Sequence, residues 1–430
     1  MDEMTLDIEN FGSIDEAHIK LGKLNIIAGV NGSGKSTSSK LLSCFLTATS
    51  KEGYFLSNNS IYERFVQFIL YWHGKISFNQ PNLNLDGMLT LIEDNVNLGD
   101  KSFDMNLNKR IDILNEMVES LDFQGKEKFV KELEGIKNLL QFNGDHYYRY
   151  FNVLLNSEFN FSELKDYKKA HVKFHGSIDD CKFTHEIDFN GERIGARINE
   201  GYVDCLNFED VVYIDSPSIF DFKNGSNKNT YHLNQLNKSL YSGKNEIDVF
   251  DNEYFSNIVE FQNKFNELIN GNIYYDFKKQ DFVFKQGDNE YSMKNTASGI
   301  KQIGVIQLLL ENRNLKENSF LFIDEPEINL HPEWQVKLAE LLVLLVKELN
   351  IYLYINSHSP QFIEALEVFS VKYGIINESK FYLSKKLDNN KFKFEEIAYD
   401  NLVTLYNNLG DSYDIIDEIR AENIFNKLNE

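Results

Sequence analysis

The sequence predicts an α/β protein built on a mixed sheet and interrupted by two mostly helical insertions. Three observations carry this reading. A short apolar run from Leu24 to Ala28 leads into Gly29-Val30-Asn31-Gly32-Ser33-Gly34-Lys35-Ser36-Thr37, followed by a helical pattern with Leu41, Leu42, Phe45 and Leu46. A second apolar run, Phe320-Leu321-Phe322-Ile323, ends in Asp324-Glu325. A third, from Ile351 to Ile355, ends in Asn356-Ser357-His358-Ser359-Pro360.

Taken in order, Met4 to Ile8, His18 to Leu21 and Leu24 to Ala28 read as three strands within a first segment, residues 1–56. Residues 57–166 change character: Ile111, Leu114, Met117, Val118 and Leu121 recur at helical spacing with charges between them, which predicts a helical arm. Residues 167–217 alternate like strands and end in the buried run Val211-Val212-Tyr213-Ile214. Residues 218–270 form a second insertion: an Asn-, Ser-, Gly- and Lys-rich stretch at 222–245, read as a polar loop, then a helix from Asn252 to Leu268. The α/β pattern resumes over 271–430.

Composition narrows the class. The chain has 430 residues, with 44 Lys and Arg against 66 Asp and Glu, a formal net charge of −22. That balance argues against a surface coated for non-specific nucleic-acid binding, though Lys165, Lys168, Lys169, Lys173, Lys223 and Lys228 leave room for a local basic patch. Cys44, Cys181 and Cys205 are too few and too scattered for a disulfide framework. The acidic start and the absence of a long apolar run predict a cytoplasmic protein without a membrane span.

Gly29-x4-Gly34-Lys35-Ser36 matches the phosphate-binding loop, and it lies between a strand and a helix, where that pattern has a mechanism. Backbone N–H groups of Asn31 to Thr37 curl around the β-phosphate, and the helix N-terminus adds its positive end. Lys35 reaches the β- and γ-phosphates, and Ser36 supplies an oxygen to Mg²⁺. The acidic pair completes the set. Asp324 holds the Mg²⁺ shell, and Glu325, beside the γ-phosphate, polarises the attacking water.

With Asn295-Thr296-Ala297-Ser298-Gly299-Ile300-Lys301-Gln302 before a helix and Ser357-His358-Ser359-Pro360 after a strand, the constellation resembles the ABC-type P-loop ATPase head shared by ABC transporters and the SMC and RecF group. Within that group it looks most like the stand-alone AAA/OLD-like ATPases of bacterial antiviral defence systems of the Septu, retron or PARIS type. Asp324-Glu325-Pro326-Glu327-x-x-Leu330-His331-Pro332 carries that likeness. Ser298 lies 26 residues before Asp324, and His358 lies 34 after it, but Lys35 precedes Ser298 by 263, which is where the SMC and RecF group carries its arm.

The resemblance implies that Ser298 and Gly299 form a signature motif serving the γ-phosphate held by a second copy, in an ATP-dependent head-to-head dimer. It implies His358 as the switch histidine at that phosphate. It also implies Mg-ATP hydrolysis that regulates a separately encoded effector, a nuclease or toxin, in antiphage defence. Two alternatives stay open: a RecF-like repair ATPase binding DNA directly, and an ATP-binding assembly scaffold with little turnover. Ile300 follows Ser298-Gly299 where the ABC signature has a second glycine, and Asp215-Ser216-Pro217 stands where a glutamine loop would be.

Other chemistry is declined. His171, His175, Cys181 and His185 read as a hairpin, where residues four apart stand about 13 Å from each other, too far to share one zinc ion. The acids after His358, such as Asp411, Asp414, Asp417 and Glu418, fall on a helical pattern rather than on nuclease strands. His331 with Pro332 reads as a structural turn.

Overall fold

A computed structural model of the chain describes residues 3–49, 51–81, 85–93, 103–119, 121–141, 145–159, 169–178, 181–189, 194–200, 208, 210–215, 219–220, 230–241 and 252–409. The first strands are β1 (Glu3–Phe11), β2 (Ile14–Leu21) and β3 (Leu24–Ala28), and α1 (Lys35–Thr49) follows the glycine-rich loop. Five helices come next: α2 (Lys51–Asn79), α3 (Asp86–Glu93), α4 (Phe103–Glu119), α5 (Lys126–Gln141) and α6 (Asp145–Phe159). Then come β4 (Ala170–Ile178), β5 (Cys181–Phe189), β6 (Ile194–Glu200), β7 (Val211–Ile214), α7 (Tyr231–Tyr241) and α8 (Asn252–Ile269). A meander of β8 (Asn272–Asp276), β9 (Asp281–Gln286) and β10 (Asn289–Ser292) precedes α9 (Ser298–Glu311). The last part is β11 (Phe320–Asp324), α10 (Pro332–Leu349), β12 (Tyr352–Ser357), α11 (Pro360–Lys372), β13 (Ser379–Lys386) and β14 (Phe392–Glu396).

The described chain falls into two compact units, residues 1–43 with 157–430, and residues 44–156. The first unit holds an eleven-stranded mixed sheet in the order β6-β5-β4-β1-β2-β14-β13-β3-β12-β11-β7. Within the run β13-β3-β12-β11-β7 every pairing is parallel, whereas β13 with β14, β1 with β2 and β4, and β4 with β5, are antiparallel. Parallel strands covered on both faces need apolar side chains throughout. Accordingly every residue of β3 is buried, as is Phe320 to Ile323 of β11. One core cluster joins these strands to α8, α9, α10 and α11 through residues such as Phe265, Ile303, Leu342 and Phe362. This places the ends of β3, β11 and β12 side by side, so the three motifs that terminate them meet at one sheet edge.

The second unit has its own core, with Phe65, Trp72, Ile111, Leu114, Phe129 and Leu133 buried in one cluster. The Trp72 indole N–H donates to Glu132 Oε2 at 2.8 Å, so the ring is buried without leaving its polar atom unmatched.

Two expectations change. The stretch 222–245, read as a polar loop, contains α7, whose His232, Leu236 and Leu240 are buried at a spacing of four. Its apolar stripe is only three residues wide amid Asn, Gln, Ser and Lys, so composition hid the period. The meander β8 to β10 and the hairpin β13–β14 lie inside the 271–430 segment, where the sequence reading identified only the two buried strands. Residues 223, 228, 165 and 168, and the acids from 411 onward, lie outside the described residues. No described helix is long and apolar enough to cross a membrane.

Candidate functional site

The glycine-rich loop leaves β3 and enters α1 at Lys35, so the first free N–H groups of α1 open onto the loop. Gly32 and Gly34 take left-handed backbone, at φ 78° and 96°. At Gly34 a Cβ would come within 2.5 Å of Ile14 Cγ1, so both conformation and space require glycine there. Ser33 is buried, and its hydroxyl accepts from Ser384 Oγ on β13 at 2.7 Å, which pins the loop to the sheet.

Lys35 is buried. Its Nζ donates to the carbonyls of Gly29 and Val30 at 2.8 and 3.0 Å and lies 3.9 Å from Glu325 Oε1. Burial pulls its pKa below the ordinary lysine range, while Glu325, Asp324 and Glu327 pull it back up. The ammonium is therefore held over its own loop, with Glu325 close by.

Asp324, the last residue of β11, is fixed by a polar network. Asn356 Nδ2 donates to its Oδ1 at 2.6 Å and to Ser39 Oγ at 2.8 Å. Tyr213 on β7 donates to Asp324 Oδ2 at 3.2 Å and shares a hydrogen bond of 2.8 Å with Ser39. Ser36 also hydrogen-bonds Asp324. Burial raises the carboxyl pKa, and the bonds from Asn356, Ser36 and Tyr213 only partly offset it. A buried carboxylate beside a serine hydroxyl is an oxygen pair suited to a hard divalent cation.

At Glu325 the backbone turns left-handed, φ 48°, which for a non-glycine residue costs energy and is held here by the surrounding bonds. Its N–H donates to Asn356 O at 2.9 Å, and its Oε1 lies 3.2 Å from His358 Nδ1. His358 follows the end of β12, where Glu327 accepts from Ser357 Oγ at 2.6 Å and from the His358 N–H at 3.1 Å. Ser359 caps α11 by accepting from Phe362 N–H at 3.3 Å.

Asn31, Gly32, Ser33, Gly34, Lys35, Ser36, Thr37, Asp324, Glu325 and Ser298 all line one cleft of about 600 Å³, with Asp215 and Lys301 on its wall. Ser298 therefore opens onto the loop of its own chain. Gly299 is buried, and a Cβ on it would press to 2.8 Å from Leu330 Cδ2. Lys301, expected beside the signature, is buried and donates to Lys294 O at 3.1 Å. His331 caps α10, accepting from Glu333 N–H at 3.3 Å, as a structural turn would.

Sequence reasoning missed Tyr213, Ser39, Asn356 and Glu327. Each looks ordinary in its own segment, and only the side-by-side ends of β7, β11 and β12 with α1 bring them together. It also missed a buried relay. His232 Nδ1 hydrogen-bonds Glu158 Oε2 at 2.5 Å, and its Nε2 meets Asp215 Oδ2 at 3.2 Å. Burial lowers the His232 pKa, yet the bonds to Asp215 and Glu158 outweigh it and hold it above the ordinary range. The bond from His232 holds Asp215 below the ordinary carboxylate range. On the hairpin β4–β5, His171 pairs with Asp188 at 2.8 Å, His175 with Asp7 at 2.8 Å, and His185 stands buried opposite Phe174.

Residues 219–363 match a family model described as AAA ATPase domain, a segment holding Ser298, Asp324, Glu325 and His358 but not the glycine-rich loop. No curated protein matches the chain. Among solved structures, the SMC head domain from Thermotoga maritima aligns at 10% identity and TM-score 0.40, over 93% of this chain and 100% of that one. An SMC head bound to the C-winged helix domain of ScpA aligns at 12% identity and TM-score 0.45, covering 92% and 97%. A Pyrococcus furiosus complex, an SMC head domain with an extended coiled coil bound to the C-terminal domain of ScpA, gives 12%, 0.45, 98% and 100%. The chain has a mixed α/β fold with a glycine-rich loop between β3 and α1, and a third of it is similar to AAA ATPase domains.

Proposed function

We propose that the chain is a Mg-ATP-dependent ATPase of the SMC/ABC type. The observation that supports this most is the convergence of Lys35, Ser36, Asp324 and Glu325 on one cleft. The match of residues 219–363 to an AAA ATPase domain agrees with it.

The cleft suits a triphosphate. Loop N–H groups and the α1 N-terminus offer donors to phosphate oxygens. Lys35 leaves the carbonyls of Gly29 and Val30 for the β- and γ-phosphates, exchanging weak acceptors for charged ones. Ser36 and Asp324 would hold Mg²⁺, which when bound neutralises phosphate charge. Glu325 accepts a hydrogen bond from the attacking water and aligns it, and His358 donates toward the γ-phosphate. Ser298, at the α9 N-terminus, lines the cleft of its own chain and offers its donors to the γ-phosphate there, and ATP closes a head-to-head dimer over the filled site.

The motif likeness to antiviral defence ATPases supports a further step: nucleotide-driven dimerisation that regulates a separately encoded nuclease or toxin in the cytoplasm. Glu325→Gln tests the enzymatic core. It keeps the shape and removes the charge, so ATP binding stays within about threefold while turnover falls by about a hundredfold or more. Light scattering then shows a dimer trapped in Mg-ATP. Wild-type turnover in the variant would remove Glu325 from the mechanism.

A further inference from the structure

Glu327 is a buried carboxylate, 3% exposed, that the reaction as described does not use. It lies in the turn after β11, whose Ile328 and Asn329 line the cleft. Its Oε1 accepts from Ser357 Oγ at 2.6 Å and from the His358 N–H at 3.1 Å. His358 Nδ1 lies 3.7 Å from that same oxygen and 3.2 Å from Glu325 Oε1. The other oxygen, Oε2, is buried without a hydrogen-bond partner among the described residues.

A glutamine would satisfy the two donors on Oε1 and bury no charge. A carboxylate with an unmatched oxygen is costly in such a place, and an unmatched buried acceptor points to a donor that arrives in another state of the site. The nearest imidazole nitrogen already faces two carboxylates, and an Nδ1 in that setting carries hydrogen.

We infer that Glu327 is a positioning residue whose unmatched Oε2 replaces Glu325 Oε1 as acceptor of the His358 Nδ1–H bond when nucleotide fills the cleft, an oxygen position that Glu327→Gln turns into a donor. Nδ1 lies 3.2 Å from Glu325 Oε1 and 3.7 Å from Glu327 Oε1, so a small rotation of the half-exposed imidazole carries it from one carboxylate to the other, whose Oε2 still lacks a donor. No proton changes owner; only the acceptor changes. Glu325 is then free for the attacking water. The inference rests on the roles given above to Glu325 and His358.

The test uses the full chain labelled with ¹⁵N-histidine, the His358 signals being assigned by their loss in His358→Gln. Wild type shifts its His358 Nδ1 signal on adding Mg-AMPPNP. Glu325→Gln shows the nucleotide-bound position already without nucleotide. Glu327→Gln loses the nucleotide-induced shift, and its kcat falls by about tenfold while KM stays within about threefold. A Glu327→Gln enzyme within about twofold of wild-type kcat, or one that keeps the shift, overturns the inference while leaving the ATPase reading intact. Wild type that binds no nucleotide overturns both. Should Glu327→Gln fail to fold, wild type and Glu325→Gln decide: a His358 signal that nucleotide does not move, or that Glu325→Gln does not move, refutes the exchange.

Discussion

Asn356 is the residue on which the organisation of Asp324 depends most, and Asn356→Leu measures that dependence. The side chain is fully buried and donates to Asp324 Oδ1 at 2.6 Å and to Ser39 Oγ at 2.8 Å. Leucine has nearly the same size, so the packing term is small and the polar terms decide. Losing the bond to the buried carboxylate costs about 1.5–3 kcal/mol, and losing the neutral bond about 0.5–1.5 kcal/mol. Against this, Asn356 Oδ1 is buried without a partner, and its removal relieves about 1–3 kcal/mol. The net loss is about 1–2 kcal/mol of stability, read as a lower urea midpoint with the slope unchanged. Function suffers more. Asp324 loses its strongest positioning donor, so Mg-dependent nucleotide binding weakens by about tenfold while Mg-independent binding is unchanged. A variant with wild-type stability and wild-type Mg²⁺ dependence would refute the claim that this network organises the cation site.

Two further substitutions probe other parts of the account. Gly34→Ala forces a side chain onto φ 96° and against Ile14, so nucleotide binding is lost and the melting temperature falls by several degrees; unaltered binding would show that the loop relaxes freely. His232 has a raised pKa in the folded state, so the stability it contributes is fully present below its unfolded value near 6.5 and is lost as pH climbs through the folded value. Wild type therefore loses melting temperature from pH 6.5 upward, and His232→Gln flattens that slope; parallel profiles would remove the Glu158–His232–Asp215 relay from the explanation.

The sheet centre was legible because parallel strands covered on both faces must be almost wholly apolar, as Phe320 to Ile323, Ile351 to Ile355 and, apart from the buried Asn25, Leu24 to Ala28 are. Their endings carry polar residues in patterns with few physical uses, which is why the cleft residues could be named in advance. The rest lacked such a signature. Helix α7 packs only three residues of its eleven inward, and the strand β10 buries none, so neither departs from loop composition. Tyr213, Ser39 and Asn356 become a network through parallel pairing of β7, β11 and β12, a non-local fact that no local pattern encodes. Glu327 was visible only as part of a motif; its role comes from the approach of the β12 end to the turn after β11.

The most direct test of the central claim is calorimetric titration of Mg-ATP into wild type and Lys35→Ala. The Lys35 ammonium is buried 3.9 Å from Glu325 Oε1, and in the proposed function it is the main cation of the triphosphate site. Wild type should bind one nucleotide per chain, and Lys35→Ala should lose affinity by about a hundredfold or more, the equivalent of about 3 kcal/mol. Affinity retained within about threefold in the alanine variant would contradict the site.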